Sequence, residues 1–133
     1  MFDTNSLTAI GAASILLRLL LGGVFAIHGF PKLFTKRQAI QQAMSGAGIP
    51  ASLTALVGVL EFFGGVSLIL GFLTPLVAGF FAILMGGTTL LQRLKFRKPF
   101  AGGYELDLVL MVAAIALIVL GAGAVSLDSL FGI

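Results

Sequence analysis

The stretch VGVLEFFGGVSLILGFLTPL, residues 57–76, sets one carboxylate, Glu61, among Val, Leu, Phe and Gly before turning at Gly71 and Pro75. From Leu53 to Leu73, thirteen residues are Leu, Ile, Val or Phe. At about −0.3 to −0.6 kcal/mol each in a bilayer centre they contribute roughly −4 to −8 kcal/mol. One acidic residue there costs about +2.5 to +3.5 kcal/mol. The segment therefore inserts as a helix, provided that the carboxylate meets a partner or a protein-lined cavity, or stays protonated. Glu61 is expected to face away from lipid. Gly71 closes this helix and Pro75 opens the next, as in a tight helical hairpin.

Working outward, the composition agrees. Of 133 residues, 59% are hydrophobic and only 10% charged, and the mean hydropathy is +1.15. A soluble domain carries about 25% charged residues. So few charges could not cover so much apolar surface in a small water-soluble protein. The chain reads as all-α: a polytopic membrane protein built as a bundle of four transmembrane helices. The four apolar runs are roughly Ala12–Phe34, Ser52–Phe72, Pro75–Leu94 and Tyr104–Val125. The N-terminal MFDTNSLTAIGAAS lacks a basic region and precedes a run carrying Arg18, so the first span is expected to be retained rather than cleaved as a signal peptide. Between spans one and two, Ile40, Ala43, Met44 and Ala47 recur at helical spacing and predict a short interfacial helix.

Seven of the eight basic residues, Lys32, Lys36, Arg37, Arg93, Lys95, Arg97 and Lys98, fall on one side of an alternating four-span path. The positive-inside rule predicts both basic loops in the cytoplasm and both termini outside. The same placement explains a pI near 9.8 without nucleic acid. No cysteine is present, which excludes disulfides, thiolate metal sites and thiol redox chemistry within the chain. One histidine with scattered carboxylates has no metal-ligand spacing.

Arg18, Gly22, Phe25, Gly29 and Lys32 follow a 4-3-4-3 spacing and share one helix face; Gly58, Glu61, Gly65, Leu68 and Phe72 do the same. Glycines there let two helix backbones approach closely. Arg18 and Glu61 lie at depths that differ by roughly one turn, and Arg18 is expected to pair with Glu61 inside the bundle. That pair serves either a ligand or helix register alone. Near the basic end, His28 and Lys32 stand four residues apart, and Tyr104, Glu105 and Asp107 open span four. Asp107 is expected to face His28 or Lys32. Glu105 points the other way and favours the positive end of its helix. His28 reads as a hydrogen-bonded interfacial histidine or a proton relay, Lys32 as a snorkelling anchor.

Three segments together resemble the DoxX family across nearly the whole chain. LLRLLLGGVFAIHGFPKLF resembles its opening helix, GIPASLTALVGVLEFFGGVSLILGFLTPL its second, and GGYELDLVLMVAAIALIVLGAGAVSLDSL its last with a Ser-Leu-Asp tail. The resemblance implies one DoxX-like membrane domain over residues 1–133 in the bacterial inner (plasma) membrane. Its matching positions are Arg18, His28, Gly29, Lys32, Glu61, Gly64, Gly65, Tyr104 and Glu105, and no catalytic set transfers onto them. Relatives that the resemblance brings in include a subunit associated with thiosulfate:quinone oxidoreduction, proteins linked to oxidative-stress complexes, and proteins of unassigned role.

Three functions follow. The first is a membrane subunit or scaffold of a redox or stress-response assembly, holding a quinone or small lipophilic ligand near Arg18 and Glu61. It implies the bilayer, a membrane or soluble redox partner protein, or a second copy of the chain as partners. The second is a small proton- or solute-linked transporter subunit using Glu61. The third is a purely structural membrane protein. An independent enzyme ranks last, since nothing resembles a nucleophile–base arrangement.

Overall fold

The computed structural model describes residues 3–133, and these hold α-helices and no strand. The helices are α1 (Thr4–Phe30), α2 (Arg37–Gly46), α3 (Ala51–Leu70), α4 (Thr74–Leu90), α5 (Glu105–Leu120) and α6 (Leu127–Phe131). The Asp3 carboxylate accepts the Ser6 N–H at 2.7 Å and starts α1 as an N-cap. This bond to the charged form holds the Asp3 carboxyl below the usual carboxylate range.

Two helices continue through a wide turn at the basic end. Pro31 has no N–H for the preceding turn, and the ladder opens so that Lys36 N–H donates to the Pro31 carbonyl at 2.9 Å, five residues back. Leu91–Lys95 repeats the device, with Phe96 N–H donating to the Leu91 carbonyl at 3.2 Å. A bent lead-in, Phe100–Tyr104 with Gly102 at φ +77°, brings the chain into α5.

With these extensions four helices are long and apolar enough to cross a bilayer: Thr4–Thr35, Ala51–Leu70, Thr74–Lys95 and Phe100–Leu120. The first begins eight residues before the apolar run does, because Asp3 caps a polar first turn. It is about 48 Å long at ~1.5 Å per residue, against about 30 Å of hydrocarbon. The last stops at Leu120 rather than near Val125, where Gly121 at φ +76° breaks the helix. The short helix predicted between spans one and two is α2, with Ile40, Met44 and Ala47 half-buried and Ala43 exposed.

Around the bundle α1 packs along α3, α4 along α5, and α1 against α5, while α3 and α4 touch lightly despite their short link. The α1–α3 contact is made by glycine. A Cβ on Gly22 would lie 2.5 Å from the Gly65 carbonyl oxygen, and one on Gly29 would lie 2.5 Å from the Phe62 nitrogen. Both heptad faces point inward as their spacing predicts, except at Phe72, which follows the left-handed Gly71 and is 37% exposed. In the centre Phe25 and Phe81 stack at 3.7 Å with planes 3° apart, enclosed by Leu21, Leu68, Ala78, Ala114 and Leu117. Lipid is as apolar as Leu, so this interior is held by dispersion and close backbone approach rather than by escape from water. Side chains such as Ile27, Ile83 and Val119 accordingly point outward.

Candidate functional site

Two polar clusters sit in the bundle, one toward each end. Near the basic end, Lys32 Nζ donates to both oxygens of Glu61, at 2.7 and 2.9 Å. The Glu61 side chain is 6% exposed and that of Lys32 24%. Glu61 thus pairs with Lys32 and not with Arg18, the partner that the spacing predicts. Side chains on a helix lean toward its N-terminus. The antiparallel α1 and α3 therefore tilt Lys32 and Glu61 toward each other and Arg18 away from Glu61. Gly22 opposite Gly65 and Gly29 opposite Gly58 fix the register. In it Arg18 stands level with Leu68 and Ile69, seven or eight residues past Glu61, which is roughly 10–12 Å along α3.

Arg18 is instead the centre of a second cluster. Nε donates to the Leu68 carbonyl at 3.0 Å and Nη2 to that of Ile69 at 3.0 Å, both in the last turn of α3. Nη1 donates to Ala122 O at 2.8 Å and Val125 O at 2.7 Å in the loop after α5. The guanidinium thus binds the last carbonyls of α3, where Leu68 O also accepts the Gly71 N–H at 3.0 Å, and sits at the negative end of that helix. Asp128, also buried, completes the arrangement from the other side. Its carboxylate accepts Leu73 N–H at 2.6 Å and Thr74 N–H at 2.8 Å, capping α4, while its own N–H donates to Gly71 O at 2.9 Å. Gly71 is required here twice. Its φ is +73°, and a Cβ would lie 2.5 Å from Ser126 Cβ and 2.8 Å from Arg18 Cζ. Four chain segments are clasped at one point.

The remaining candidates do not converge. Asp107 accepts a hydrogen bond from Gln92 Nε2 rather than facing Lys32 or His28, because Lys32 is committed to Glu61. His28 is exposed and makes no hydrogen bond among the described residues. Glu105 accepts the Gly102 N–H at 3.0 Å at the start of α5, and Tyr104 packs edge-on to Phe100 at 5.6 Å.

A cavity of about 300 Å³ opens beside the Lys32–Glu61 pair. Leu53, Val57, Leu84 and Leu91 form its apolar wall, and Thr54, Thr88, Gln92 and Lys98 supply further polar groups. Both wide turns border it: Pro31–Thr35 carries Lys32, and Leu91–Lys95 carries Leu91 and Gln92. Such turns recur at functional sites because they re-aim side chains out of the regular helical rows. Sequence reasoning missed Gln92, Thr88 and Lys98, which carry no motif, and Asp128, whose Ser126-Leu127-Asp128 start of α6 was visible only as a family tail.

Four apolar crossing helices with glycine-mediated packing and two intramembrane polar clusters define a multi-pass membrane protein of the small four-helix class. Within that class the chain belongs to the DoxX family, whose profile matches residues 13–93. It is 30% identical over 115 residues to the "Putative oxidoreductase CatD" of Bacillus subtilis (strain 168), covering 86% of this chain and 84% of that protein. It is 35% identical over 118 residues to the "Inner membrane protein YqjF" of Escherichia coli (strain K12), covering 85% and 87%. No solved structure matches the chain.

Proposed function

We propose that this protein is an inner-membrane subunit of a redox or stress-response assembly that holds a small lipophilic ligand, a quinone by class, in the cavity beside Lys32 and Glu61. The observation that carries the reading is a doubly hydrogen-bonded ion pair, its carboxylate buried and its ammonium half-buried, at the wall of a mostly apolar cavity. A Lys ammonium has three N–H donors. Two are used on Glu61, which leaves one for an acceptor such as a quinone carbonyl. Arg18, bonded at the C-terminal end of α3, takes no part in this site. The name of CatD agrees with a redox setting, and that of YqjF with the inner membrane. The basic residues clustered at the cavity end support a cytoplasmic placement of that end, with both termini outside. The stacked Phe25 and Phe81 fill the bundle beyond the cavity, which favours a one-ended binding site over a transport path.

The test is native mass spectrometry of the protein extracted with its surrounding lipids, with a short-chain quinone added to ligand-free material. Bound quinone at one per chain, lost in Lys32→Met, is expected. Neither co-purifying nor added quinone being retained, with no partner protein present, would sink the proposal.

A further inference from the structure

We infer that the cavity beside Lys32 and Glu61 selects a lipophilic anion: a compact apolar body with one ionised oxygen as its head. The inference rests on the reading of the cavity as a ligand site and adds the charge of what occupies it. Its lining includes two ammonium groups, Lys32 and Lys98, and one carboxylate, Glu61. That carboxylate has both oxygens turned onto Lys32, so it is neutralised within the wall. The next acidic group, Asp107, does not line the cavity and accepts from Gln92 behind it. The uncompensated charge is that of Lys98, whose ammonium is exposed and makes no salt bridge among the described residues.

Among the cavity's lining residues the only carboxylate is therefore the one already turned onto Lys32, and Glu105, at the same end, lies outside the lining and accepts the Gly102 N–H. An oxyanion against the third N–H of Lys32 would gain one charge-assisted hydrogen bond, and the Lys98 ammonium adds an unpaired positive charge to the same lining. The anion's apolar body would lie on Leu53, Val57, Leu84 and Leu91. The volume sits at the lower end of the roughly 300–1,000 Å³ typical of ligand pockets, which suits one ring system or one short tail rather than a two-chain phospholipid. With the bundle filled beyond the cavity by Phe25 and Phe81, the anion enters from the basic end, where six cations besides Lys32 outnumber the carboxylates of Glu105 and Asp107 and concentrate it.

The experiment uses the full chain in phosphatidylcholine nanodiscs and two probes of nearly equal size, by equilibrium dialysis against empty nanodiscs. One probe is 2-methyl-1,4-naphthoquinone, which is neutral; the other is 2-hydroxy-1,4-naphthoquinone, which is ionised at neutral pH. The hydroxy compound is expected to bind about tenfold tighter, equivalent to ~1.4 kcal/mol. Lys98→Gln should bring the two to parity. Arg93→Gln, which removes the same charge from the same end without touching the cavity, should leave the preference intact. Equal affinity of both probes for the natural chain overturns the anion preference and leaves the ligand site standing. A preference that survives Lys98→Gln, or falls equally in Arg93→Gln, also overturns it, since the surface potential alone would then be responsible. Binding of neither probe above the empty nanodiscs removes the ligand site itself.

Discussion

Replacing Arg18 tests the clasp. Its guanidinium makes four hydrogen bonds of 2.7–3.0 Å to carbonyl oxygens. A hydrogen bond to a charged group contributes about 1.5–3 kcal/mol, so the gross loss in Arg18→Ala is roughly 6–12 kcal/mol. Removing a buried cation also recovers several kcal/mol of desolvation, and the net cost expected is about 3–5 kcal/mol. Arg18→Lys keeps the charge but not the planar fork. A single ammonium cannot span the α3 terminus and the Ala122–Val125 loop together, and about 2 kcal/mol of loss is expected. Unfolding in mixed detergent micelles, followed by far-UV circular dichroism, gives both numbers. Limited proteolysis should show residues 121–131 becoming cleavable at the same time. A loss below about 1 kcal/mol in Arg18→Ala would refute the reasoning. So would recovery of stability by the exchanged pair Arg18→Glu with Glu61→Arg, because that result belongs to a direct Arg18–Glu61 contact.

Three further outcomes are expected. Glu61→Ala leaves the half-buried Lys32 ammonium unpaired and should cost about 1–3 kcal/mol, discounted for its partial exposure; the exchange Lys32→Glu with Glu61→Lys should recover most of it in the same micelle assay. Gly65→Ala sets a Cβ 2.5 Å from the Gly22 oxygen and 2.6 Å from the Ala26 nitrogen, so α1 and α3 must separate, at a cost of about 1–3 kcal/mol; an unchanged unfolding midpoint would contradict the close approach. The Asp3 carboxyl, depressed by its bond to Ser6 N–H, stabilises the first turn of α1 above its unfolded titration range and loses that effect as pH falls through its lower folded value. Amide exchange at Ser6 should quicken on acidification, and Asp3→Asn should remove that dependence.

Much of the fold was legible because the bilayer makes length and hydropathy decisive. The hairpin at Gly71 and Pro75, the basic end, the α2 pattern and the glycine faces all follow from spacing that repeats. The site was less legible for a geometric reason. Arg18 and Glu61 share facing stripes at compatible depths, but depth measured along helix axes ignores the lean of each side chain toward its own N-terminus. That lean brings Lys32, nominally an anchor, to Glu61. It sends Arg18 toward the opposite end, where its partners are carbonyls that any sequence possesses. The wide turn after Leu90, which helps form the cavity, has no proline to announce it.

The dependence of α4 on Asp128 also bears on biosynthesis. When the first two crossings leave the insertion machinery, the hairpin at Gly71 has neither its guanidinium bridge to the loop nor the carboxylate that ends its donors, since both arrive some fifty residues later. Threading into the membrane and tightening of the far end are thus separate events, the second waiting on the last-made segment. A ribosome-released fragment ending at Leu120 should insert all four crossings yet be degraded faster than the whole chain in a pulse-chase, and equal lifetimes would contradict that order.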